Sequence, residues 1–185
     1  KKSLESCLVE IATGGGKALC VSMLARTLHS LSKGKRVLCL APSKELVEQN
    51  AAKYLLLGEQ CSIYSASIGK SLRHKVIFAT EGTFKAVAKS MGDQFAGVII
   101  DESHKVTTTV KTIIDDMKQG NPNLRICGLT ATPYRLGTGY IYEIDQNNHI
   151  MPPEKAREPY YKKLVYRIGA DELIEQGYLT PIMVG

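Results

Sequence analysis

Cys7-Leu8-Val9-Glu10-Ile11-Ala12-Thr13-Gly14-Gly15-Gly16-Lys17 decides the fold. A short apolar run suited to a buried strand feeds a turn of three glycines, and from Ala18 the pattern changes to helical spacing, with Val21, Leu24, Leu28 and Leu31 on one stripe and Gly34 as a stop signal. A helix with one apolar stripe needs a sheet to cover. The alternation repeats: strands are predicted over 37–41 and 76–79, helices over 44–57 and 82–89. Two further strands, 96–100 and 124–129, flank a segment with Ile113, Ile114 and Met117 at helical spacing. Alternating strand and helix units predict an α/β fold, a mostly parallel sheet with helices on both faces. Ligands of such sheets bind beyond the carboxyl ends of the strands.

Composition bounds the rest. A length of 185 residues with 44% hydrophobic and 23% charged residues suits one soluble domain with a substantial core. The net charge of +6 favours an anionic partner such as nucleic acid. Cys7, Cys20, Cys39, Cys61 and Cys127 are too widely separated for a zinc ligand set, and an odd number of them in apolar runs suits a reducing compartment, so a cytoplasmic location is expected. No apolar stretch approaches the ~20 residues of a membrane span. A start at Lys1, just before a strand, suggests a fragment of a longer protein.

The chemistry concentrates at three strand ends. In Ala12-Thr13-Gly14-Gly15-Gly16-Lys17-Ala18, glycines let backbone N–H groups close around phosphate oxygens, the helix start adds partial positive charge, and Lys17 supplies a point charge for the outer phosphates. The strict G-x-x-x-x-G-K-[ST] pattern is not met, since Ile11 stands at the first glycine position; a plain tight turn is the competing reading. Val98-Ile99-Ile100-Asp101-Glu102-Ser103-His104 brings two adjacent carboxylates to the end of a buried strand, Asp101 suited to Mg²⁺ and Glu102 to orienting a water for attack on a phosphate. Gly128-Leu129-Thr130-Ala131-Thr132-Pro133 ends a third strand in hydroxyls, where Thr130 and Thr132 can reach towards His104 and couple the phosphate region to its surroundings.

In this order and spacing the three segments resemble the first RecA-like domain of superfamily-two helicases of the DExH type, whose glycine loop reads Thr-Gly-x-Gly-Lys. The resemblance covers nearly the whole chain. More narrowly, Gly128 to Gly139, Lys44-Glu45-Leu46-Val47 with Gln49-Asn50, and Gly177-Tyr178-Leu179-Thr180-Pro181 look like bacterial DNA-repair ATPases of the RadD (YejH) type, with type I and type III restriction translocases less similar over the tail. The resemblance implies ATP and Mg²⁺ as ligands, nucleic acid, with DNA favoured over RNA, as partner, and residues 1–185 as the N-terminal RecA-like half of a larger enzyme. It also assigns Pro42, Ser43 and Lys44 to motif Ia and Thr80, Gly82 and Thr83 to motif Ib, both of which grip the nucleic-acid backbone in relatives. The hydroxyls of Ser43 and Thr80 suit phosphates, while Ser43 equally suits a helix cap.

Two departures matter. Relatives follow the loop lysine with Thr or Ser, whose hydroxyl ligates Mg²⁺, whereas this chain has Ala18. An Ala18→Thr exchange is therefore expected to raise hydrolysis, and a nucleotide-dependent switch with little hydrolysis is the rival to an ATP-driven motor. The adenine-reading segment and the second RecA-like domain with its arginine finger lie outside residues 1–185; such a finger is worth about 10³ to 10⁵ in rate, so this span alone is expected to be nearly inert. After Pro133 the tyrosine-rich stretch reads as loops and short strands, with a helix over 171–176 ending at Gly177; stacking of its tyrosines on bases is the less favoured reading. His29, His74 and His149 are read as surface residues without partners.

Overall fold

The computed structural model describes residues 6–180. In chain order the elements are β1 (Ser6–Ile11), α1 (Lys17–Leu31), β2 (Arg36–Ala41), α2 (Lys44–Leu56), β3 (Cys61–Ser65), β4 (Gly69–Lys70), β5 (Val76–Thr80), α3 (Glu81–Phe84), α4 (Ala88–Met91), β6 (Phe95–Ile100), α5 (Thr108–Gly120), β7 (Arg125–Thr130), β8 (Tyr134–Arg135), β9 (Gly139–Tyr140), β10 (Tyr142–Ile144), β11 (Tyr161–Ile168) and α6 (Ala170–Glu175). Nine strands form one sheet in the order β10-β11-β1-β7-β6-β2-β5-β3-β4, parallel except for the β3–β4 pair. β8 and β9 make a separate small hairpin.

Each central strand is apolar on both faces because helices cover both. In β2, Val37, Cys39 and Ala41 join the core beneath α1 and α2, while Leu38 and Leu40 join the core on the side of α3, α4 and α5. The predicted stripe of α1 holds at Val21, which is fully buried, but Leu31 is 63% exposed because the last turn runs past the sheet. The helix predicted over 82–89 is two short ones. Val87 breaks it, with φ −116° and ψ −5°. The break lets Phe84 make edge-on contacts with Tyr64 and Phe95 while Ala88 and Met91 enter the same core.

β3 and β11 are among the main-sheet strands that were not anticipated. β3 lies beside β5, and the tyrosine-rich stretch supplies an eight-residue strand, β11, running parallel to β1 and joined to it by the Arg167–Glu10 ion pair (Nε–Oε2 3.3 Å). Tyr161 is therefore a core residue, 1% exposed, and not available to a base. His74 also has partners: its backbone N–H donates to Ser62 Oγ (2.9 Å) and its Nδ1 lies 3.3 Å from the same oxygen. His149 Nδ1 lies 3.3 Å from Asp145 Oδ2. All five cysteines suit a reading as small buried hydrophobes, but only Cys39 and Cys127 are buried while Cys7, Cys20 and Cys61 are half-buried, and all five thiols are free. The predicted helix at the end is α6; Pro181 of the tail motif lies outside the described residues. Among the described residues, no helix is long and apolar enough to cross a membrane.

Candidate nucleotide-binding cleft

Because β1, β6, β7, β2 and β5 run parallel, their carboxyl ends all open on one edge of the sheet. There, a cleft of about 670 Å³ is lined by Ala12, Thr13, Gly14, Gly16, Lys17 and Ala18 from the loop after β1, by Gln49, Asn50 and Lys53 of α2, by Asp101, Glu102 and His104 after β6, and by Ala131 and Thr132 after β7.

The loop owes its shape to its glycines. Gly14 and Gly16 adopt φ of 84° and 77°, the left-handed region that side chains disfavour. Gly16 is the N-cap of α1 and carries no side chain to satisfy the Lys17 and Ala18 N–H groups, which stay available to an anion, while the Leu19 N–H donates to the Gly16 carbonyl (2.9 Å). Gly15 is required by packing: a Cβ there would stand 2.8 Å from both Ile11 Cγ2 and Leu173 Cδ1. A Cβ on Gly14 would meet Leu179 Cδ2 at 2.8 Å. The tail thus closes down on the outside of the loop.

Opposite stand the carboxylates. Asp101, 2% exposed, is held from three sides: Asn50 Nδ2 donates to Oδ2 (2.8 Å), the Glu102 backbone N–H donates to Oδ1 (2.8 Å), and Lys17 Nζ lies 3.6 Å from Oδ1. Lys17 also pairs directly with Glu102 Oε1. Glu102 itself has φ 51° and ψ 41°, a left-handed conformation that turns its side chain back over the loop. Its other oxygen, Oε2, lies 3.2 Å from His104 Nδ1, which also lies 3.2 Å from Thr130 Oγ1. Thr130 accepts from the Thr132 backbone N–H (3.0 Å), so the three strand ends are linked in one polar chain. Burial holds the His104 pKa below its ordinary value, against the opposing pull of Glu102, which favours the neutral imidazole as the link between that carboxylate and Thr130.

Mg²⁺ favours hard oxygen donors and retains much of its water. The oxygens present fit it: the Asp101 carboxylate, and behind it Asn50 Oδ1, a buried carbonyl oxygen with no hydrogen-bond donor among the described residues. A buried acceptor left without a donor costs about 1–3 kcal/mol. Asn50, bonded to Asp101, is a cleft residue that sequence reading did not single out; it was noted only within a motif. Ala18 lines the same cleft and brings no oxygen on its side chain.

The segments read as nucleic-acid contacts lie on the same edge. Ala41 and Thr80 are register partners, so the turns that follow β2 and β5 adjoin. Ser43 Oγ caps α2 by accepting from Leu46 N (3.3 Å), and Pro42 and Lys44 are exposed beside it. Thr80 Oγ1 donates to Thr83 Oγ1 (2.9 Å), which also accepts from Ala66 N (3.1 Å), with Gly82 exposed. Both groups are internally bonded, yet Ser43 and Thr83 each retain a hydroxyl proton to donate.

A parallel sheet with a glycine loop, two adjacent carboxylates and a histidine at its carboxyl edge defines a RecA-like ATPase domain of the helicase class. The family model described as type III restriction enzyme, res subunit, matches residues 1–135, and the chain belongs to that family. No curated protein sequence matches the chain. Among solved structures it is similar to the Hef helicase domain of Pyrococcus furiosus, with 27% identity, a TM-score of 0.64, and coverage of 89% of this chain and 35% of that one. It is similar in fold to the UvsW helicase of bacteriophage T4, with 22% identity, a TM-score of 0.57, and coverage of 70% and 48%. Dbp5 of S. cerevisiae, solved bound to RNA and ADP BeF3, gives 17% identity, a TM-score of 0.58, and coverage of 71% and 37%. The chain spans less than half the length of each of these proteins.

Proposed function

We propose that this domain binds ATP with Mg²⁺ and hydrolyses it in response to nucleic acid, as the first of two RecA-like halves of a DNA helicase or translocase of the RadD repair type. The observation that carries the reading is the convergence of Lys17, Asp101 and Glu102 in one cleft at the carboxyl ends of β1 and β6. In this reading the Thr13, Gly14 and Gly16 N–H groups wrap the phosphates while the Gly15 N–H holds the turn by donating to the Ala12 carbonyl (2.9 Å), and Lys17 leaves Glu102 to meet the outer phosphates. Asp101 would hold Mg²⁺, which when bound would neutralise charge on the phosphates. Glu102, freed of Lys17, accepts a proton from the attacking water and orients it. His104, Thr130 and Thr132 relay the state of that site, while Ser43, Lys44, Thr80 and Thr83 hold the strand backbone. A second half supplies the missing cation for the transition state.

Ala18 favours one alternative, a switch that binds nucleotide and nucleic acid with little turnover. ATP hydrolysis by the full-length protein, measured alone and with single-stranded DNA, duplex DNA and matched RNA, separates the two. DNA is expected to stimulate turnover most, and Glu102→Gln to lower it by about 10² or more while nucleotide still binds. Absence of stimulation by any nucleic acid would rule out the motor.

A further inference from the structure

We propose that the carboxamide of Asn50 takes over the part of the hydroxyl missing at position 18, its oxygen accepting a hydrogen bond from the water shell of nucleotide-bound Mg²⁺. The inference rests on the reading of the cleft as an Mg²⁺–ATP site and assigns that site a residue of its own.

Three contacts fix Asn50 in place. Its backbone carbonyl accepts from Ser22 Oγ (3.2 Å), a hydroxyl that also lies 3.0 Å from the carbonyl of Ala18. Asn50 is thereby fastened to the first turn of α1, the turn that lacks the oxygen. Its Nδ2 donates to Asp101 Oδ2 at 2.8 Å. An ionised carboxylate accepts and cannot donate, so the amide nitrogen must face Asp101 and the amide oxygen must face away from it. That oxygen is buried and has no donor among the described residues, on a side chain lining the cleft beside Ala18 and Asp101.

The chemistry of the metal supplies the donor. Mg²⁺ holds six oxygens and gives up water reluctantly. Where relatives place a hydroxyl on the metal, alanine leaves one more water there, and metal-bound water is a strong donor in need of an acceptor. The uncharged amide oxygen suits this role: it accepts the bond without adding a third negative charge beside Asp101 and Glu102.

The test uses the full-length protein with Mn²⁺ in place of Mg²⁺. Electron paramagnetic resonance of free Mn²⁺ reads metal affinity in the ADP complex, and a fluorescent ADP analogue in EDTA reads nucleotide affinity without metal. Asn50→Ala and Asn50→Leu are expected to weaken Mn²⁺ binding about tenfold or more, leaving metal-free nucleotide affinity within about twofold. Ala18→Thr is expected to restore Mn²⁺ affinity in the Asn50→Ala background and to change the wild type by less than about twofold, in place of the gain expected from sequence alone. Unchanged Mn²⁺ affinity in both Asn50 variants would overturn the proposal and leave the amide with a structural water only. Should the Asn50 variants fail to fold, Ala18→Thr in the wild type decides: a gain of about tenfold overturns the proposal, and a gain below about twofold upholds it. A wild type that binds the ADP analogue neither with Mg²⁺ nor in EDTA would instead remove the nucleotide reading itself.

Discussion

Glu102 is one of three described residues other than glycine with positive φ, and it stands where the chain leaves β6 for the cleft. Holding a side-chain-bearing residue left-handed costs about 1–2 kcal/mol, a cost that contacts of its carboxylate with Lys17 and His104 help to offset. Replacing Glu102 by Ala or by Gly removes those contacts equally, but only Gly relieves the backbone. Glu102→Gly is therefore expected to be more stable than Glu102→Ala by about 1 kcal/mol in urea denaturation, with both inactive. Equal stabilities would show that the turn is unstrained. At this scale much was legible in sequence: Lys17, Asp101, Glu102 and His104 meet as their motifs suggest. Asn50 was not, because a lone amide in an amphipathic helix carries no sign of which way it faces. Only the packing of α2 beside α1 and over β2, β3 and β5 brings it to Asp101 at the end of β6.

At the scale of elements, β11 is the longest of the strands that sequence did not reveal. Its buried positions are Tyr161 and Leu164, three apart, and its pairing with β1 shifts register between Leu8 and Val9. Neither a period of two nor an unbroken apolar run marks it. The central strands, buried on both faces, were readable for the opposite reason. β11 nonetheless bears on the site. Tyr161 lies across Gly128 of β7 and beside Ser103, so that a Cβ on Gly128 would come within 2.4 Å of Tyr161 Cζ and 2.7 Å of Ser103 Oγ. Gly128→Ala is expected to destabilise the fold by about 1–3 kcal/mol, read as a lower denaturation midpoint. Pairing it with Tyr161→Leu, which opens the space, is expected to recover part of the loss. A Gly128→Ala variant as stable as the wild type would show that β11 can retreat from β7 at no cost.

For the whole molecule, the path of the chain matters as much as its sheet. After β11 and α6 the tail turns back, with the Tyr178 and Leu179 N–H groups donating to the Leu173 carbonyl (2.8 and 3.1 Å), and lays Leu179 on Gly14. The first and last described parts of the chain therefore meet at the glycine loop. Leu179→Ala is expected to speed amide hydrogen exchange over residues 12–17 by about fivefold, the equivalent of ~1 kcal/mol of local opening, and to leave β2 and β5 unchanged. Exchange that stays the same in the loop would mean that the tail merely rests there.

The borders of the sheet carry one more consequence. At one side stands β4, two exposed residues, Gly69 and Lys70; at the other stands β10, three residues long, bridged beyond its end through Ile144 and Ile150. Strand-by-strand growth from one molecule to the next requires a long, flat, unpaired border, and here the fully apolar strands lie far inside. The short rims cover only part of their neighbours: β10 pairs with Tyr161 to Lys163 and leaves Leu164 to Ile168 of β11 paired on the β1 side alone, so any template for another strand shrinks to five residues that include the charged Arg167.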